Sequence, residues 1–189
     1  MRIQSLTAAE KLSRVRQNDR SPDTRTPLRY ELNVIAVKIA DVVQAVGGWL
    51  FDRSMAGWDV NVLLAEHNDD MRPLRILGAG AVELQPALLS IKDGAQRAAG
   101  LAIASDLLGT DERIDAEVGD ALRRTDVEVA LWGDGGVFGW VDSVQYRLSA
   151  AARLFKAHAL AAAGLTDVPV GFSEKFFRGG PTPCVSVSC

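Results

Sequence analysis

Residues 56–66, AGWDVNVLLAE, decide the fold class of this 189-residue chain. A glycine is followed by Val60, Val62 and Leu64 alternating with Asp59, Asn61 and Leu63, so the period becomes the two-residue repeat of a strand. Upstream the period is helical. Leu32, Ile35, Ile39, Val42, Val43, Val46, Trp49 and Leu50 recur at helical spacing, with Asn33, Lys38, Asp41 and Gln44 on a narrower polar side. The spacing predicts one helix over 28–55 that hands over to a strand, the repeating step of a layered α/β fold. Apolar cover this wide implies several packing neighbours, inside the domain or across an oligomer interface. Gly47 and Gly48 each cost about 1 kcal/mol relative to Ala inside a helix, which points to a kink or a close backbone approach.

Downstream, the polar turn HNDDMRP (67–73) leads to LRILGAGAVEL (74–84). A strand over 74–79 is expected, and the connection is too short for a crossover helix, so it pairs antiparallel with the strand before it. Pro86 suits the first position of a helix over 86–99. The apolar run 100–108 reads as a buried strand. TDERIDAEVGDALRR (110–124) is a helix with Ile114, Val118 and Leu122 on one face, acids at its start and arginines at its end. VEVALW (127–132) alternates as a strand; VFGWV (137–141) is a further short candidate. A long helix is expected over 142–164, with Val144, Leu148, Ala151, Ala152, Phe155, Ala159 and Ala162 inward and Gly164 as its stop.

These elements define an α/β fold: a mixed β-sheet of four to five strands covered by helices, three-layered and Rossmann-like. One domain over 28–165 is expected, with a polar basic arm at 1–27 before it and an irregular tail at 166–189 after it. The arm, with Pro22 and Pro27 in its polar second half, has little to bury.

The net charge is −3, which argues against general nucleic-acid affinity. The first 29 residues carry a local +4 and leave −7 for the rest. Arg14, Arg16, Arg20 and Arg25 are therefore candidate contacts for nucleic acid or an acidic partner. Only Cys184 and Cys189 are present, too close together to staple a fold. The apolar stretch 32–51 is interrupted by Lys38, Asp41 and Gln44, and the first residues are polar, so neither a membrane partner nor secretion is expected. Arginine outnumbers lysine 16 to 5 and alanine is abundant, a bacterial composition; the expected location is cytoplasmic.

Two Gly-rich turns could cradle a ligand. In GAGAVE, Gly78 and Gly80 match the first two glycines of a dinucleotide fingerprint, but Glu83 stands at the third and would repel phosphate. GDGGVFG (133–139) is either a hairpin turn or a ligand loop, whose lining would be Gly133, Asp134, Gly135, Gly136, Asp142 and Ser143. EHNDD (66–70) reads as a solvated loop, and His158 as a surface residue on a polar helix face beside Arg153 and Lys156. No nucleophile elbow, P-loop or H-E-x-x-H is present, and no cofactor or metal is called for. The expectation is a non-catalytic interaction or assembly module of a bacterial cytosolic protein, homo-oligomeric or partnered through helix 28–55. The alternative is a small-molecule or nucleotide-binding domain, potentially an enzyme, with its site at 133–139.

Overall fold

Residues 31–36, inside the predicted first helix, form an interior strand of the sheet. The computed structural model describes residues 30–66, 70–86, 98–133 and 142–179. In chain order these build β1 (Glu31–Ala36), α1 (Ile39–Met55), β2 (Asp59–Leu64), α2 (Arg72–Ile76), β3 (Gly80–Glu83), β4 (Gly100–Ala104), a 3₁₀ turn at Ser105–Leu107, α3 (Glu112–Arg123), β5 (Glu128–Trp132), β6 (Asp142–Arg147), α4 (Ala150–Ala162) and β7 (Ser173–Gly179). The sheet order is β3-β2-β1-β4-β5-β7-β6. Strands β1 to β5 run parallel to one another, and β7 is antiparallel to both β5 and β6. The mixed α/β architecture expected is present, with seven strands among the described residues in place of four to five.

Residues 28–55 are not one helix. β1 is buried on both sides, as an interior parallel strand must be, and its apolar residues Leu32, Val34, Ile35 and Ala36 run on toward those of α1. Lys38 ends it with extended backbone, φ −127° and ψ 148°, and serves as the N-cap of α1. The second correction inverts 72–83. Pro73 sits in the first turn of α2, whose buried Leu74 anchors it, and the strand comes after the glycines. The Ala79 amide donates to the Leu74 carbonyl at 2.9 Å and the Gly78 amide to Arg75 at 3.1 Å, a Schellman ending that needs Gly78 at φ +74°. Because a helix intervenes, β3 pairs parallel with β2, not antiparallel.

The third correction divides 142–164: β6 comes first, and the helix starts at Ser149, whose hydroxyl accepts from the Ala152 amide at 2.9 Å. Val144, expected inward, lies on the exposed edge strand, and Ala151 and Phe155, also expected inward, are on the exposed side of α4. The fourth falls in the segment expected to be irregular: residues 173–179 form β7, inserted between β5 and β6. Residues 86–99 and 137–141 lie wholly or mainly outside the described residues. By contrast α3 is as expected, with the Asp111 carboxylate capping the Arg113 amide at 2.9 Å.

The helix α1 packs on β1, β2 and β7 from one face of the sheet, and α4 and α2 cover it from outside. Right-handed crossovers put α3, between β4 and β5, on the opposite face. Midway along α1 a buried ion pair enters the helix. Lys156 and Glu174 are 5% and 4% exposed, and the lysine Nζ donates to Glu174 Oε1 at 2.6 Å and to the Gln44 carbonyl at 2.7 Å. The Gly48 and Trp49 amides donate to the two oxygens of Glu174 at 2.9 and 2.8 Å. In an ordinary helix the Gln44 carbonyl and the Gly48 amide would bond each other; here a salt bridge reaches both. Gly48 allows this close approach: a Cβ there would lie 2.6 Å from Leu148 Cδ1 and 3.2 Å from Glu174 Oε1, and both side chains would have to shift. Burial raises the pKa of Glu174, opposed by Lys156 and the two amides.

Candidate site at the carboxyl edge of the sheet

The strand registers fix what stands along the carboxyl edge. Ala36 of β1 is level with Leu64 of β2, Ile35 with Ile103 of β4, and Ala104 with Trp132 of β5. The residues leaving this edge are Glu66 after β2, Val37 and Lys38 after β1, Ser105 and Asp106 after β4, and Gly133 after β5. From β1 the chain steps to β2 and β3 on one side, then crosses to β4 and β5 on the other. The loops beyond β1 and β4 therefore part in opposite directions and open a crevice.

Within this row Lys38 Nζ lies 3.7 Å from Glu66 Oε1, both side chains more than half exposed. Such a pair contributes little to stability, so both groups remain available to a ligand. The Glu66 amide donates to the Val37 carbonyl at 3.1 Å and ties the two loops together. On the other side of β1, Ser105 is buried against Gly133, where φ is +100° and a Cβ would lie 2.8 Å from Ser105 Oγ. Farther along, where β2 and β3 end, a cleft of about 280 Å³ is lined by Leu64, Met71 and Val82 with Glu66, Glu83 and Gln85 at its polar parts. An ionised carboxylate accepts hydrogen bonds and donates none, so this end of the edge suits groups that donate.

The residues expected to line a ligand loop are divided. Gly133 stands on the edge; Asp134, Gly135 and Gly136 lie outside the described residues. Asp142 and Ser143 are not a helix cap. They open β6 opposite Arg178 and Phe177, and β7 separates them from β5, with Arg178 level with Ala130. Of the EHNDD loop, His67 and Asp69 lie outside the described residues. Asp70 accepts from the Arg72 amide at 3.0 Å and from its guanidinium, which holds the carboxyl at about 2. Among the described residues no group of three or more His, Cys, Asp or Glu is placed to hold a metal ion. Lys38, Ser105 and Asp106 were missed from sequence. Their signal is position, one or two residues past the last apolar residue of a parallel strand, and it is readable once β1 is separated from α1. His158 is exposed on α4, but Lys156 is buried and Arg153 lies over Phe172, so its face is not the polar one expected.

No family model and no curated protein matches the chain. Among solved structures, it is similar to a deacetylase of the teicoplanin biosynthesis pathway, with TM-score 0.57, 14% identity, and coverage of 78% of this chain and 97% of that one. The A40926 pseudoaglycone deacetylase Dbv21 gives 0.52 at 14% identity over 79% and 96%. The 4-carboxy-2-hydroxymuconate hydratase of Pseudomonas putida gives 0.50 at 12% identity over 85% and 99%. At these identities the likeness establishes the fold. It also corrects the expectation of a non-catalytic interaction module: these solved structures of the same fold are enzymes, and the apolar cover of 28–55 is taken up inside the domain by the sheet, α2 and α4.

Proposed function

We propose that this chain is a small-molecule-binding α/β domain of the enzyme kind, with its ligand at the carboxyl edge of the sheet between β1 and β4. The observation that carries this reading is the switch point itself, where open α/β sheets hold their ligands. It brings an ammonium, a hydroxyl and a carboxylate to one rim: Lys38, Ser105 and Asp106. The β1–α1 turn is Ala36-Val37-Lys38 and has no glycine to let a pyrophosphate approach the backbone. The ligand class is therefore a polar organic molecule carrying hydroxyl, amide or amine groups, not a dinucleotide. The deacetylase and hydratase neighbours support an enzyme. The Gly-rich turn joins the site through Gly133, with Asp134, Gly135 and Gly136 as further lining and Asp142 and Ser143 more remote, on β6. No helix among the described residues is long and apolar enough to cross a membrane. The two cysteines, five apart in sequence and too near each other to staple a fold, fit a reducing cytoplasm. The basic arm, through Arg14, Arg16, Arg20 and Arg25, is proposed as a secondary contact for an acidic partner.

Thermal-shift measurements with N-acetylated sugars, hydroxy acids, nucleotides and divalent metals, followed by the variants K38A, S105A and D106A, test this. A ligand at one hundred times its Kd stabilises by about 2.7 kcal/mol, roughly 5–11 °C for a chain of this size. The shift is expected to shrink in the variants. A ligand that shifts the wild type and all three variants equally sits elsewhere and refutes the reading.

A further inference from the structure

The helix α4 carries two charged residues, Arg153 and Lys156, and neither charges its outer face. Lys156 is buried in α1, and the Arg153 guanidinium lies 4.6 Å from the Phe172 ring centroid. What α4 turns to solvent is Ala151, Leu154, Phe155, Ala157, His158 and Ala161. Leu154 is 58% exposed and Phe155 39%, the latter stacked on Phe51 at 4.4 Å, and Met55 and Phe172 border the face at 68% and 72%. These are four of the seven exposed large hydrophobic residues among the described residues. A surface helix ordinarily has a charged outer side, and apolar patches gathered on one face mark contact surfaces.

We propose that α4 is the dimer interface of this domain and that its occupant is α4 of a second copy, lying antiparallel across a twofold axis. Ala151, Leu154, His158 and Ala161 follow the 3-4-3 spacing of a helix–helix seam. The seam is symmetric about residue 156. When two copies pair antiparallel there, Leu154 of each meets His158 of the other, and Ala151 meets Ala161. A twofold interface requires this self-complementarity. The low charge of the face fits the same occupant: His158 is the one titratable residue in the seam and the Arg153 guanidinium lies at its margin over Phe172, so a second copy of this face brings little charge to be desolvated. Thirteen residues make a helix about 20 Å long. Even with Met55 and Phe172 this lies below the roughly 800 Å² per partner of a standard interface, so the dimer is concentration-dependent. It is separate from the ligand site, which lies at the head of α1.

Size-exclusion chromatography with light scattering on the full chain, over a wide range of concentration, reads the association directly. The wild type is expected to rise toward twice the protomer mass. In L154K/H158K like charges meet across the seam and the mass stays that of one chain. In L154E/H158K opposite charges meet and association returns. Both positions are exposed, and far-UV circular dichroism of each variant checks the fold. A wild type that stays monomeric throughout overturns the proposal, as do two double variants that associate equally.

Discussion

Replacing Lys156 with methionine leaves the Glu174 carboxylate 4% exposed and held only by the Gly48 and Trp49 amides. Removing one partner of a buried pair costs about 3–5 kcal/mol, a large part of the roughly 5–15 kcal/mol that holds a domain together. The melting temperature of K156M should fall by roughly 6–20 °C. E174M should lose less, because burial already disfavours the Glu174 charge and the ammonium keeps the Gln44 carbonyl as its acceptor. K156M/E174M is the informative variant. With neither charge present, no buried charge is left unpaired, the Gly48 and Trp49 amides have the carbonyls of Gln44 and Ala45 as helical acceptors, and two methionines fill the space in an otherwise apolar layer. The double variant should come within about 1 kcal/mol of wild type or exceed it, a coupling of about 3 kcal/mol or more between the two sites. Urea unfolding followed by tryptophan fluorescence measures all four proteins, with Trp49 beside the substitution. If the double variant loses the sum of the two single losses, the ion pair is not standing in for a helical hydrogen bond and the reasoning fails.

Other outcomes follow from the same region. Burial raises the pKa of Glu174 above its ordinary 4.5. The folded state thus holds this proton more tightly than the unfolded chain, and the stability it contributes is present below 4.5 and lost as pH rises through the folded value. Measured against E174Q, which does not titrate, the wild type should gain stability on acidification from neutral pH toward 4.5; parallel pH profiles for the two proteins contradict this. G48A should be destabilised by about 1–3 kcal/mol from overpacking against Leu148, despite the better helix propensity of alanine. G47A meets nothing closer than Leu77 Cδ1 at 3.3 Å, so its melting temperature should stay much nearer wild type; equal losses in the two variants would remove the close-approach explanation. G78A must hold φ +74° and place a Cβ 2.3 Å from Ser54 Oγ, and a loss of at least about 1 kcal/mol is expected from equilibrium unfolding.

What sequence reveals here depends on whether an element is specified locally. Asp111 ahead of Glu112 and the stripe Ile114–Val118 mark α3 within a dozen residues, and the alternation of β2 and β5 is equally local. The β1–α1 join is hidden because Ile35 and Ile39 stand four apart by coincidence, and the turn at Val37-Lys38 contains neither glycine nor proline. Pro73 signalled the start of α2, but the apolar run after it matched a strand as well. In β6 and α4, Val144, Leu148 and Ala152 keep helical spacing across the true boundary, and Ser149 is the discriminating cap. β7 buries Glu174 and Phe176 on one face and carries Lys175 and the partly buried Phe177 on the other, and a carboxylate at a buried position reads as irregular until its partner is known. That partner is eighteen residues away and its two amide donors more than a hundred, a separation that no periodicity carries. The candidate site was hard to see for the same reason: its residues belong to three different crossovers and share nothing until the strands are in register.

The position of β7 has a consequence for how the chain is made. β6 is synthesised some thirty residues before β7, yet in the sheet it touches β7 alone. During synthesis residues 142–147 have no strand to pair with, and Lys156 has no counter-ion, until residues 173–179 emerge and dock against β5. A chain truncated after residue 165 would display an unpaired strand and a lysine facing the middle of α1 with no counter-ion. The few residues that follow are the ones that close the domain.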